Sequence, residues 1–108
     1  MASTPEKKVK LKVRAILDWH DDVYYFTPMS GGYGRSGVPD IVGCYKGVFF
    51  AIECKANGGK PTALQVKNLK QILTAGGKAT IINEDNLEDV RLMLSTIGYE
   101  ADKKKASI

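Results

Sequence analysis

The sequence predicts an α/β fold in which a mixed β-sheet carries helices on both faces. Three observations lead there. The elements alternate in the order α-β-β-β-α-β-α. The two middle strands, Ile41–Tyr45 and Val48–Cys54, are apolar at nearly every position, as strands covered on both faces are. A helix with a clear start signal separates the third strand from the fourth, and such a crossover makes parallel strands in a sheet whose first strands run antiparallel.

Each element has its own local cause. Thr4-Pro5-Glu6 is a helix start: a capping hydroxyl, proline at the first helical position and an acid in the first turn. The helix is expected to reach about Trp19, burying Val9, Val13, Ile16 and Leu17. Val23–Thr27 is β-branched and aromatic, a strand ended by Pro28. Residues 30–39 hold four glycines and two of the flanking signals of a loop, serine and proline. Lys46-Gly47 joins the two apolar runs into a β-hairpin. Thr62-Ala63-Leu64-Gln65 is a capping box, opening a helix that ends near Ala75 before Gly76-Gly77. Lys78–Ile82 is a short strand. A last helix is expected from about Asn86 to Ile97, stopped by Gly98. The organisation predicted is one domain over residues 1–101, with a disordered basic tail at 102–108.

The 108 residues suit a single domain. No apolar run approaches the ~20 residues that cross a bilayer, and the N-terminus lacks a signal peptide's apolar segment, so a cytoplasmic protein with no membrane partner is expected. Cys44 and Cys54 have no metal-site spacing, and a single histidine, His20, nearly excludes a zinc site of the Cys/His kind. Any metal would be held by oxygen, which favours Mg²⁺ or Mn²⁺. The glycines of residues 31–37 lack P-loop or GxGxxG spacing, so no nucleotide cofactor is expected. Residues 1–83 carry twelve Lys/Arg against six Asp/Glu, whereas residues 84–108 carry four against six. That positive excess is compatible with a phosphate backbone partner.

The chemistry concentrates on the hairpin. If Lys46 and Gly47 form a two-residue turn, counting outward from Tyr45 opposite Val48 brings Asp40 opposite Glu53. Directly opposed residues share a face with Cβ atoms ~4.5–5.5 Å apart, and Lys55 points the same way. A bulged three-residue turn would slip this register by one and still leave the carboxylates neighbours. Like charges opposed on a strand pair destabilise it unless a proton, a cationic side chain or a divalent cation intervenes. The plainer reading is that Asp40 caps a loop while Glu53 and Lys55 mark a strand end reaching water.

Gly34-Arg35-Ser36-Gly37-Val38-Pro39-Asp40, Glu53-Cys54-Lys55 and Thr62-Ala63-Leu64-Gln65 together resemble the PD-(D/E)XK nuclease superfamily, most closely its stand-alone VRR-NUC branch from phages and bacteria. The resemblance covers roughly Gly31 to Ile82. It implies a restriction-endonuclease-like αβββαβ core and Mg²⁺ or Mn²⁺ held by Asp40, Glu53 and the backbone carbonyl of Cys54. Lys55 would hold or deprotonate the attacking water, and Gln65 would position water or phosphate. Gln65 also completes the capping box on its own. Glu6 is the counterpart of the family's first-helix glutamate, although an acid there is also favoured by the helix dipole. Tyr33, Arg35 and Lys60 are possible DNA contacts by position, and His20 reads as structural. The resemblance further implies a homodimer acting on DNA, particularly four-way junctions. Two alternatives stand beside a DNA endonuclease: a non-catalytic nucleic-acid-binding module on the same fold, and an RNA nuclease.

Overall fold

The computed structural model describes residues 4–29 and 36–106. Tyr33 and Arg35 lie outside them. The elements are α1 (Pro5–Asp18), β1 (Val23–Phe26), β2 (Ile41–Tyr45), β3 (Val48–Cys54), α2 (Ala63–Thr74), β4 (Lys78–Ile82) and α3 (Glu88–Ala106). The four strands form one sheet in the order β1-β2-β3-β4. The first three are antiparallel, and α2 carries the chain across so that β4 runs parallel to β3. This is the mixed sheet expected, and it is consistent with a restriction-endonuclease-like fold.

Helices cover the two faces unequally. On one face, Val9, Val13, Ile16 and Leu17 of α1 pack with Val90, Leu94 and Ile97 of α3 over Ile41, Phe50, Ile52, Cys54 and Ile82. On the other, α2 places Leu69 and Ile72 against Val42, Ala51 and Ala79. The alternation of β3 between these two clusters sends Glu53 to the α2 face, beside Ala51. Of α2, only Asn68 and Leu69 are buried. Asn68 ties it to the approach loop, with Nδ2 donating to the Ser36 carbonyl at 3.2 Å.

Glycines decide two features of this architecture. Gly43 faces Phe50 across the hairpin, and a Cβ there would lie 2.6 Å from the Phe50 ring and 2.8 Å from Tyr25 Cβ. Gly76, at φ +99°, ends α2 in the left-handed conformation expected of it. Gly98 does not end α3. It keeps a helical backbone, and the helix continues to Ala106 through residues 102–106, where a disordered tail was expected. Glycine inside a helix costs about 1 kcal/mol relative to alanine, which favourable surroundings can offset. Here Glu100 pairs with Lys78 of β4 at 3.3 Å, and Lys103, Lys104 and Lys105 sit in the last turn where the helix dipole favours cations. The helix also starts two residues later than expected. Asn86 lies in the turn before it, its Oδ1 accepting from Asn83 N–H at 2.7 Å.

Gly43 and Gly98 should respond oppositely to a methyl group. Gly43→Ala is expected to lower stability by about 1–3 kcal/mol through overpacking. Gly98→Ala, whose Cβ would meet only Tyr45 at 3.8 Å, should raise it by roughly 0.5–1 kcal/mol. Urea unfolding of the two variants beside the parent protein measures both shifts.

Candidate active site

The site begins with the hairpin turn. Lys46 (φ 52°) and Gly47 (φ 79°) both adopt left-handed backbone, as a two-residue type I′ turn requires. The register follows: Tyr45 opposite Val48, Gly43 opposite Phe50, Ile41 opposite Ile52. One step further, Asp40 comes level with Glu53, and the bulged alternative does not occur.

Asp40 holds the end of the hairpin closed. Its Oδ2 accepts the Cys54 backbone N–H at 2.7 Å. The Cys54 carbonyl, by contrast, is left without a strand partner, because of Pro39. Lys55 donates its N–H to Ile82 of β4, so the backbone of Cys54, one residue back, faces β2. The residue opposite Cys54 in this register is Pro39, which has no N–H to offer the Cys54 carbonyl. That carbonyl therefore faces the Asp40 side without a ladder donor from its opposite residue. The Cys54 thiol plays no such part: it is buried in the core, and burial pushes its pKa up to about 12.

Glu53 is 1% exposed, and neither carboxyl oxygen has a hydrogen-bond partner among the described residues. Lys55 Nζ lies 3.3 Å from Oε2, close enough to attract but not aligned as a hydrogen bond. Burial raises the Glu53 pKa to about 8, with the neighbouring Asp40 carboxyl adding to the rise and Lys55 opposing it. A buried carboxyl with unmet oxygens, next to a second acid, is an arrangement that perturbs pKa values at functional sites.

Glu6 completes the group. It stands in the first turn of α1, whose Thr4 cap accepts Lys7 N–H at 3.2 Å. Carboxylate oxygens of Glu6, Asp40 and Glu53 all lie within 4.8 Å of one another. Three acids from three segments thus meet at one end of the sheet, around a cleft of about 490 Å³ that Glu6, Asp40 and Cys54 line. Oxygen donors so spaced fit a hard divalent cation, and the unmet oxygens of Glu53 are what such an ion would satisfy.

The other expected residues are placed as follows. Gln65 forms the capping box: its Oε1 accepts Thr62 N–H at 2.8 Å and its own N–H donates to Thr62 Oγ1 at 3.2 Å. It does not line the cleft. His20 is structural, with Nδ1 3.1 Å from the Ile16 carbonyl and its ring edge-on to Tyr45. Lys60 is exposed in the turn before α2. Lys7, Lys10 and Asn57 line the cleft and were not singled out from the sequence. The signal for Lys10 was present: it lies four residues after Glu6 and so shares its side of α1.

Comparison with known proteins gives two matches. A model of the archaeal Holliday junction resolvase (Hjc) family matches residues 26–104, a segment that contains Asp40, Glu53 and Lys55 and begins after α1. A protein of Acyrthosiphon pisum secondary endosymbiont phage 1, named "Putative nuclease p44", is 33% identical over 58 residues, covering 53% of this chain and 62% of that protein. The chain thus spans under two thirds of the phage protein's length. With most of its length matched, the motif-bearing hairpin included, the chain belongs to the archaeal Holliday junction resolvase (Hjc) family.

Proposed function

We propose that this chain is a metal-dependent endodeoxyribonuclease that hydrolyses DNA phosphodiester bonds with Mg²⁺ or Mn²⁺. The observation that carries the reading is the buried Glu53, with unmet oxygens, against the carboxylates of Asp40 and Glu6 and the Lys55 ammonium. Glu6, Asp40, Glu53 and the Cys54 carbonyl are the groups that would hold the ion. When bound, it lowers the pKa of a water and offsets charge on the phosphate oxygens. Lys55, as an ammonium, would donate a hydrogen bond that orients that water and set positive charge where negative charge grows. Asp40 acts through its hold on the Cys54 N–H, which keeps the carbonyl side of Cys54 at the cleft. We assign Gln65 to the α2 cap.

The substrate reading is branched DNA, four-way junctions above all, cut by a homodimer in the cytoplasm of a bacterial or phage-infected cell. The family description supports the junction, and a two-fold dimer presenting two sites suits a two-fold substrate. The sheet face beside α2 supports the dimer. Tyr24, Phe26 and Phe49 are 71%, 53% and 47% exposed there, and large apolar side chains exposed together on one sheet face suit an interaction surface. Finer placement in the VRR-NUC branch rests on the motif run from Gly34 to Gln65 alone. No helix among the described residues is long and apolar enough to cross a membrane.

Three outcomes test these statements. Incubation with linear, single-stranded, flap and four-way DNA, and with RNA, should show cleavage in Mg²⁺ or Mn²⁺, none in EDTA, and preference for the branched forms. Glu53→Gln and Lys55→Ala should each lower kcat by at least about 10²–10³-fold while leaving the circular dichroism unchanged; cleavage retained by both purified variants would refute the site.

The buried acid also sets a pH dependence. The folded Glu53 holds its proton up to about 8, whereas the unfolded chain releases it near 4.5. The folded state therefore binds the extra proton between those values, and stability falls as pH rises through that window. The metal-free melting temperature should decline from just above pH 4.5 toward about 8, and Glu53→Gln should flatten that decline. Mn²⁺ should raise the melting temperature more at the alkaline end. Sedimentation should give a dimer for the parent protein and a monomer for Phe26→Glu/Phe49→Glu; a parent that is monomeric throughout would remove the dimer reading.

A further inference from the structure

Outside the acidic cluster, a run of cations lies along α1 beside the cleft. Lys46, Lys55, Lys78 and Arg91 are each in an ion pair, but Lys7 and Lys10 have no such partner among the described residues. Lys7, Lys10 and Arg14 stand at i, i+3 and i+7 and so share one side of the helix. The cleft is continuous with a second hollow of about 250 Å³, because Lys7 and Lys10 line both, and Leu11, Arg14 and Thr27 complete its wall.

The placement runs against the helix's own interest. α3 follows the dipole, with Glu88 and Asp89 in its first turn and Lys103, Lys104 and Lys105 in its last. α1 has the dipole-favoured Glu6 in its first turn but Lys7 beside it, and no basic residue in its last. A cation at a helix N-terminus adds to the positive end of the dipole, a small cost that α1 bears at Lys7, beside the acids of the cleft.

We propose that Lys7, Lys10 and Arg14 form a track for the phosphate backbone of DNA, leading out of the cleft along α1. The inference rests on the nuclease reading of that cleft. Seven residues of helix span about 10 Å, roughly three times the 3.4 Å rise per nucleotide of one strand. The track therefore holds the strand flanking the scissile phosphate over two or three phosphates. Lys8 and Lys12 stand on the other side of the same helix and take no part.

The test measures binding without turnover, on a fluorescein-labelled linear duplex in EDTA over a salt series. Lys7→Gln/Lys10→Gln is compared with Lys8→Gln/Lys12→Gln, which removes equal charge from the same helix; Arg14 is left intact because it contacts the Tyr25 hydroxyl. The slope of log K against log salt should shrink by about 1.8 for the first pair, from about 0.9 per phosphate contact. The second pair should leave it within error of the parent. Equal changes in both pairs, or none in the first, overturn the track. A cation pair serving only to balance the acidic triad would leave the slope unchanged and tighten Mn²⁺ binding, which also overturns it. Because the assay needs no catalysis, a chain that binds as expected but never cuts refutes the nuclease reading and keeps the track.

Discussion

A slip of one residue between β2 and β3 would turn every side chain of the hairpin to the opposite face. Glu53 would enter the core between α1 and α3, and Ile52 and Cys54 would leave it. What prevents this is the two-residue turn at Lys46-Gly47, with both residues left-handed and only the second a glycine. The register it enforces also sets Pro39 opposite Cys54. Proline's missing N–H leaves the Cys54 carbonyl without its ladder donor, while the Asp40 carboxylate accepts the Cys54 N–H at the end of the hairpin. One acid is thus positioned by the same backbone constraint that leaves the Cys54 carbonyl free of its opposite donor.

The site opposes the stability of the fold around it. Glu53 is buried on the face that α2 covers thinly, and its desolvation is offset only in part by Lys55. Glu6 brings a third carboxylate to the same point. Lys7 adds a cation at the end of α1 that the dipole disfavours. The compensating apolar burial lies on the other face, where α1 and α3 pack over Ile41, Phe50, Ile52 and Ile82. This division lets one face of the sheet be a conventional core while the other bears unfavourable charge.

Much of this was legible in the chain because it depends on neighbours in sequence. The capping box at Thr62–Gln65, the Thr4-Pro5 start and the left-handed Gly76 all follow from local hydrogen bonding and backbone sterics. Gly98 shows where local reasoning fails. The same residue type that stops α2 is passed over in α3, because an ion pair to β4 and a favourable last turn continue the helix. Gln65 carried two possible roles in the sequence, and the observed hydrogen bonds commit its Oε1 to the cap.

That Asp40 and Glu53 are neighbours, with Lys55 on the side of Glu53, was determined by the sequence alone, since strand alternation and a short turn need no other part of the molecule. That they stand level was left open by the sequence and is decided by the left-handed Lys46-Gly47 turn. The tertiary structure decided the rest. Whether Glu6 reaches those acids depends on how α1 docks, a long-range matter set by Val9, Val13, Ile16 and Leu17 packing on the sheet. The burial that raises the Glu53 pKa is likewise a property of the assembled layers. The cleft shared by Glu6, Asp40, Lys7 and Lys10 exists only because segments thirty or more residues apart converge at one end of the sheet.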